Sequence, residues 1–310
     1  MRNDVARQAT DGDRSPEVLC IGESMILVTP TDPSPLESAE HFALHVGGAE
    51  STVALYLAER GHRSAWLSQV GDDPLGRRMV AAVAKYGVDT SWVRVDAEAP
   101  TGVYFKDPGL GSTRVYYYRA GSAASRMTGA NLDDVDWSAT RIVHVSGITA
   151  GLSATCRDLL SAVYAAARRH EVLISFDVNH RPGVWPADEA APVLLDLARR
   201  ADIVFVGRDE AERLWQVGDP TAVAALLDAP VRLVVKDGEV GASEVAPGAA
   251  PVFVPSRRVE VVEVVGAGDA FAAGYLSELL RESEPAARLS AGHDLAARSL
   301  SSTHDFLPSL

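Results

Sequence analysis

The chain has 310 residues, 47% of them hydrophobic, which is ample for a large core in one large domain or a domain with an appendage. Its 29 basic and 42 acidic residues leave a net charge of −13, which argues against nucleic acid or an anionic membrane as a partner, since both call for a basic surface. Two cysteines, Cys20 and Cys156, lie in apolar surroundings without metal-ligand spacing or a disulfide framework, and read as buried thiols.

Residues 1–16 are polar and of mixed charge with no apolar signal region, so a disordered tail is expected there, with one α/β domain over 17–310. No apolar run is long enough to span a bilayer, and a cytoplasmic protein is expected. Val18 to Gly22 reads as a buried strand, and Ala49 to Arg60 as an amphipathic helix closed by Gly61. Ser64 to Val70 is a second strand and Leu75 to Tyr86 a second helix, closed by Gly87. Further strands are expected at Ile142 to Ser146, Val172 to Val178, Ile203 to Val206 and Leu233 to Lys236. Helical patterns at Ala154 to Arg169 and Ala187 to Arg200 lie between them. Strands alternating with helices predict a mainly parallel sheet covered on both faces.

Two segments break this rhythm. His41 to Val46 alternates in polarity, and Thr101 to Lys106 and Thr113 to Arg119 read as strands joined by turn chemistry at Asp107-Pro108-Gly109-Leu110-Gly111. They predict a small antiparallel β-sheet projecting as a lid, with segments at about 29–46 and 99–120. Alternation puts Tyr117 and Arg119 on one face and Tyr116 and Tyr118 on the other.

The segment richest in chemistry is Val264-Val265-Gly266-Ala267-Gly268-Asp269-Ala270-Phe271. Phe271, Tyr275 and Leu279 recur at helical spacing, so Gly266-Ala267-Gly268 should open a helix with Asp269 in its first turn. Such a turn presents backbone N–H groups at the positive end of a helix dipole, which suits a phosphate. A loop built for tight packing fits the same residues. A dinucleotide fingerprint fits poorly, because Phe271 stands at the third glycine position, and no Gly-x-x-x-x-Gly-Lys-Ser/Thr loop occurs.

Other motifs accumulate in order: Gly47-Gly48-Ala49-Glu50, Gly71-Asp72-Asp73, Ser146-Gly147-Ile148-Thr149, Asp177-Val178-Asn179-His180-Arg181-Pro182 and Lys236-Asp237-Gly238 before Gly241. Several follow strands, where open parallel sheets bind ligands. Together with Gly-Ala-Gly-Asp and the Tyr-Tyr-x-Arg strand, they resemble the ribokinase-like (pfkB) family of carbohydrate kinases over Val18 to about Pro308. The Tyr-Tyr-x-Arg strand, Ser-Gly-Ile-Thr and Asp-x-Asn-x-Arg-Pro-x-x-Trp, through Trp185, resemble the acid-sugar branch, the 2-keto-3-deoxygluconate kinases.

The resemblance implies a Rossmann-like α/β body, a β-sheet lid, and ATP-dependent phosphorylation of a sugar hydroxyl with Mg2+. It implies Asp269 as catalytic base and Gly266, Ala267 and Gly268 as the anion hole. Sugar contacts carried over are Gly48, Tyr104, Tyr117, Arg119, Ile148 and Arg181; nucleotide contacts are Lys236, Gly238, Gly241 and Gly268; Glu210 matches a glutamate near magnesium and phosphate. The family's habit implies a homodimer or higher homo-oligomer through the lid, which the aromatic bulk of Tyr116 and Tyr118 suits.

On physical grounds an Asp at a helix N-terminus should stay ionised and be a weak base, which a loose phosphoryl-transfer transition state tolerates. Arg119 and Arg181 should recognise a carboxylate, since a neutral sugar would leave two buried guanidinium groups short of partners. Gly71-Asp72-Asp73 reads as a turn and helix cap, and His144 as a core histidine. Four positions depart from the family pattern: Thr52 for an asparagine, Gly207 for an asparagine, Glu263 for an aspartate beside a monovalent-cation site, and Thr303 in Ser302-Thr303-His304 where Gly-Asp-His is expected. Asp305 is the candidate replacement for that last carboxylate, and the usual final helix is not expected after it. These departures leave open a kinase for a neutral or different sugar, such as fructose or 5-keto-2-deoxygluconate, and a catalytically weak sugar-binding relative.

Overall fold

A computed structural model of the chain describes residues 15–32, 34–108, 114–228, 232–302 and 305–308. Among them the strands, in chain order, are β1 (Val18–Ile21), β2 (Met25–Pro30), β3 (Phe42–Gly47), β4 (Ser64–Gly71), β5 (Val93–Asp96), β6 (Val103–Asp107), β7 (Arg114–Tyr118), β8 (Ile142–Ser146), β9 (Leu173–Asp177), β10 (Ile203–Gly207), β11 (Arg232–Asp237), β12 (Gly241–Val245) and β13 (Val252–Pro255). The α-helices are α1 (Ala49–Glu59), α2 (Pro74–Ala84), α3 (Gly147–Leu152), α4 (Ala154–Arg169), α5 (Ala187–Arg200), α6 (Arg208–Trp215), α7 (Pro220–Leu227), α8 (Ala267–Leu280) and α9 (Pro285–Leu300).

Nine strands form the main sheet in the order β13-β12-β11-β10-β9-β8-β1-β4-β5. The ladders from β11 through β10, β9, β8, β1 and β4 to β5 are parallel, and β12 and β13 close one edge antiparallel. Strand alternation divides the core: Leu19 and Ile21 of β1 join the cluster under α4 to α7, while Val18 and Cys20 face the cluster under α1, α2, α8 and α9. Both cysteines are buried free thiols. In α8 small residues replace a polar face: Gly274 lies directly against the Ala291 backbone, so α8 and α9 pack tightly and α8 is buried along most of its length.

The smaller sheet has the order β3-β2-β6-β7. Its outer ladders, β2–β3 and β6–β7, are antiparallel, and the central β2–β6 ladder is parallel. Strand β2 had no prediction; it supplies the chain that links the two halves of the lid. The turn expected at Asp107 to Gly111 falls mostly on 109–113, outside the described residues, as do residues 1–14 of the expected tail. Ser15, at the start of the described chain, is buried and accepts from Arg63 Nε through its carbonyl at 3.1 Å.

The parallel topology directs the carboxyl ends of β1, β8, β9, β10 and β11 to one side, with the lid beside them. The asparagine-bearing segment after β9, the glutamate of α6 and the lysine of β11 all gather there, at the start of α8.

Candidate active site

Gly266 caps α8 at φ 89°, a left-handed conformation that glycine adopts without strain. A side chain there would also reach the Asp305 backbone, with a Cβ 3.0 Å from its Cα. Ala267, Gly268 and Asp269 make the first turn, whose N–H groups have no partner inside the helix. A Cβ on Gly268 would stand 3.3 Å from Lys236 Nζ, so the lysine ammonium lies over the helix start.

Asp269 is 9% exposed and accepts a hydrogen bond from Asn179 Nδ2 at 3.2 Å. Burial, with the charge of Asp177 next, pushes its carboxyl up to about 7 against the opposing charges of Arg181 and Lys236. This corrects the sequence expectation of an ionised, weakly basic aspartate: desolvation beside a second carboxylate outweighs the helix dipole.

Lys236 Nζ donates to Asp177 Oδ2 at 2.8 Å. Burial alone would lower its ammonium, but Asp177, Glu210 and Asp269 together hold it above the ordinary lysine value. Glu210 accepts from the Gly207 N–H at 3.0 Å with one oxygen and from the His180 N–H with the other. Burial and then Asp177 push it above the ordinary carboxylate range. Glu210 therefore caps its own helix and ties the segment after β9 to it, and both oxygens already take backbone donors. Gly207, in place of the expected asparagine, needs only its backbone for this cap.

Two cavities meet here. One, of about 530 Å³, is lined by Asn179, Arg181, Glu210, Lys236, Gly268 and Asp269 among others. The other, of about 1040 Å³, is lined by Lys236, Gly238, Gly241, Ala267, Gly268 and Phe271 among others. Lys236 and Gly268 belong to both walls.

The lid carries the remaining predicted residues. Tyr104 is buried, donates to Asp305 Oδ2 at 3.2 Å, and stacks on Tyr117 with ring centroids 5.8 Å apart. Arg119 lies over the Tyr117 ring at 5.7 Å and pairs with Glu23, whose other oxygen accepts from Ser122 Oγ at 2.5 Å. Gly183, two residues past Arg181, would place a Cβ 3.8 Å from the Tyr117 ring, so the segment after β9 abuts the lid. Gly48, at the start of α1, packs against Ser24 and the Glu23 carbonyl. Ile148 sits in the first turn of α3, its N–H donating to Ser146 Oγ at 3.2 Å. Neither of the two cavities is lined by Gly48, Tyr104, Tyr117, Arg119 or Ile148.

The expectation of two buried, partnerless guanidinium groups fails on both counts. Arg119 already has the fully buried Glu23 carboxylate, and Arg181 is exposed with its Nη1 3.4 Å from the His180 carbonyl. Glu23, Asp177 and Lys106 are site residues without a predicted role. Asp177 ends one buried strand and Glu23 follows another, which was the available signal; Lys106 gave none, because its counter-charges stand far away in the sequence.

Among the departing positions, Thr52 is buried in α1, and Glu263 accepts from the Val264 N–H at 2.8 Å and the Val265 N–H at 3.2 Å. Thr303 and His304 lie outside the described residues. Asp305 is buried beside Gly266, where it offers the Tyr104-bound carboxylate. Asp73 accepts from the Gly76 N–H at 2.7 Å as the cap of α2. His144 is a core residue bonded to Ser175 Oγ at 2.9 Å and held down to about 4 by burial.

The sequence pattern of the pfkB family carbohydrate kinases matches residues 15–307. The chain belongs to this family. It is 37% identical over 271 residues to the 2-dehydro-3-deoxygluconokinase of Bacillus subtilis (strain 168), covering 85% of this chain and 83% of that one. It is 34% identical over 275 residues to the 2-dehydro-3-deoxygluconokinase of Thermoproteus tenax, covering 86% and 83%. The crystal structure of a PfkB protein from Polaromonas sp. JS666 superposes with a TM-score of 0.85 at 35% identity, covering 92% of this chain and 96% of that one. As a pfkB kinase the chain is a phosphotransferase acting on a carbohydrate hydroxyl.

Proposed function

We propose that this kinase phosphorylates the terminal hydroxyl of a 2-keto-3-deoxy sugar acid, 2-keto-3-deoxygluconate, with ATP as donor. The observation that carries the reading is the meeting of two cavities at Gly268 and Lys236, with Asp269 in the wall of one. ATP takes the larger cavity, with Gly238 and Gly241 on its walls, and the sugar reaches Asp269 from the lid side.

In this reading Asp269 takes the proton of the attacking hydroxyl. Its carboxyl, near 7, is matched to a base that works at neutral pH. The N–H groups of Gly266, Ala267 and Gly268, with the Lys236 ammonium above them, receive the charge that spreads over the transferring phosphoryl group. The lid residues Tyr104 and Tyr117 hold the sugar and keep water away from the reacting atoms.

No cluster of three or more potential metal ligands occurs among the described residues. Glu210 has both oxygens committed to backbone donors, while Asp177 Oδ1 is buried without a hydrogen-bond partner. These groups suit Mg2+ that arrives on the ATP phosphates rather than a cage built by the protein alone. When bound, that ion neutralises phosphate charge. The monovalent cation expected beside Glu263 has a resident competitor, since Lys106 Nζ stands 3.5 Å from Glu263.

The acceptor assignment is supported by the names of the two kinase relatives and by the Tyr117–Arg119 edge of the lid. A neutral or different sugar, such as fructose or 5-keto-2-deoxygluconate, is favoured by one observation: Arg119 already carries Glu23 as counter-ion. Association through the lid is part of the proposal. Leu44, Val28, Phe105 and Tyr116 lie opposite one another across its four strands, and Phe42, Tyr116 and Tyr118 are exposed. A cytoplasmic site of action completes the reading; no described helix is long and apolar enough to cross a membrane.

ADP release measured over a panel of acid and neutral sugars tests the proposal. Sugar-dependent release that is greatest with 2-keto-3-deoxygluconate is expected. Release with fructose and none with any keto-deoxy acid overturns the acceptor, and sugar binding without release from any sugar overturns the activity.

A further inference from the structure

The chain contains only three lysines among its 29 basic residues, and two of them, Lys106 and Lys236, reach the start of α8 from different sheets. Lys236 belongs to the site already described. Lys106 comes from lid strand β6 and is 3% exposed. Its ammonium stands 3.5 Å from Glu263 and 3.5 Å from Asp305, with no hydrogen bond to either.

Both residues bear on the backbone of the anion-binding turn, Glu263 through its carboxylate and Asp305 through its main chain. Glu263 Oε1 accepts from the N–H groups of Val264 and Val265, the two residues before Gly266. Asp305 backs Gly266 itself, closely enough that a Cβ there would lie 3.0 Å from its Cα. Asp305 also accepts from Tyr104, which lies two residues before Lys106 on the same face of β6. One strand of the lid thus grips both supports of the loop that opens α8.

We propose that Lys106 is a positioning residue: it couples the lid to the anion-binding turn by holding Glu263 and Asp305 in place as their internal counter-cation. Without the ammonium, the buried Asp305 and the partly buried Glu263 would be like charges around the vacated position, and the nearest relief is for Glu263 to swing into solvent. That motion would release the Val264 and Val265 N–H groups and the conformation of Gly266 with them. The loss would fall on phosphoryl transfer rather than on sugar binding. The long contacts leave room for the pair to tighten toward the usual ammonium–carboxylate separation of about 2.8 Å when the lid closes on substrate.

The inference rests on reading the α8 turn as the phosphoryl site, and wild-type sugar-dependent ADP release in the same assay tests that reading separately. Lys106→Ala should lower kcat at least about 50-fold, the scale of losing one partner of a buried ion pair, with the sugar KM changed less than about threefold. Ethylammonium, which fits the space vacated by the side chain, should restore at least about tenfold of that loss, while tetramethylammonium restores nothing and the wild type responds to neither. Lys106→Met combined with Glu263→Gln should lose no more than Lys106→Met alone, since both act through one contact. Wild-type kcat in Lys106→Ala, absence of ethylammonium rescue in the folded variant, or simple additivity of the two substitutions would each overturn the proposal. If the Lys106 variants do not fold, Glu263→Gln decides: a lowered kcat at unchanged sugar KM supports the coupling, and an unchanged kcat overturns it.

Discussion

Asn179 donates its side-chain amide to the Asp269 carboxylate across 3.2 Å, from a backbone held at φ 38°. Asparagine is among the few residues that tolerate this left-handed conformation, so one position supplies both the bend after β9 and the contact to Asp269. The bond favours the ionised carboxylate, while burial and Asp177 oppose ionisation and dominate.

The pH profile follows from that balance. Asp269 must be ionised to accept a proton, so kcat/KM should rise with pH through about 7 and level off above it. Asn179→Ala removes a bond to the ionised form and should move this acid limb upward by about half to one pH unit. Arg181→Ala should move it the same way, because Arg181 also favours ionisation. A limb near pH 4 in the wild type, or a downward shift in either variant, would contradict the assignment.

Stability carries the opposite sign. A carboxyl raised from 3.8 to about 7 keeps its proton in the folded chain over a window where the unfolded chain has lost it. Stability therefore falls as pH rises through that window. Asp269→Asn removes this penalty and should stabilise the protein by on the order of 2–4 kcal/mol at pH 8, and by much less at pH 4. Thermal unfolding at both pH values reads the difference; an equal gain at each would contradict it.

The Arg119–Glu23 pair predicts a stability effect and a specificity effect that separate. Arg119→Ala leaves a fully buried Glu23 carboxylate unpaired and should cost about 3–5 kcal/mol, most of it regained when Glu23→Gln is added. If Arg119 also meets a substrate carboxylate, the double variant should still show a KM for the acid sugar raised more than that for its neutral analogue. Equal changes in both KM values would limit Arg119 to a structural role.

Gly266 is the backbone position least open to change. Gly266→Ala forces a side chain into φ 89° and against the Asp305 backbone. It should lower kcat by at least about 100-fold, while denaturant unfolding shows a loss of only about 1–3 kcal/mol. A variant with near-wild-type kcat would show that the turn does not need this geometry.

Local patterns made the α/β body legible. Ala154–Arg169 and Ala187–Arg200 carry helical period and end in basic residues, and the structure has the same bounds for both. The Gly-Ala-Gly-Asp turn was legible because small residues, a carboxylate and a helical pattern stand side by side. Strand β2 was not, because Thr29 and Pro30 read as loop and its pairing with β3 and β6 is long-range. The raised pKa of Asp269 was hidden for the same reason: it comes from burial and then from Asp177, ninety-two positions away, which reaches it only through the sheet. The pairing of Lys106 and Arg119 was not legible because their counter-charges, Glu263, Asp305 and Glu23, come from other elements.

Every role assigned to the site requires the start of α8, with Asp269 in its first turn, to carry out phosphoryl transfer. The most direct test is sugar-dependent ADP release by Asp269→Asn, with sugar and ATP binding followed by calorimetry. A fall in kcat of at least about 1000-fold is expected, with both affinities kept within about fivefold. A kcat within about tenfold of the wild type would contradict it.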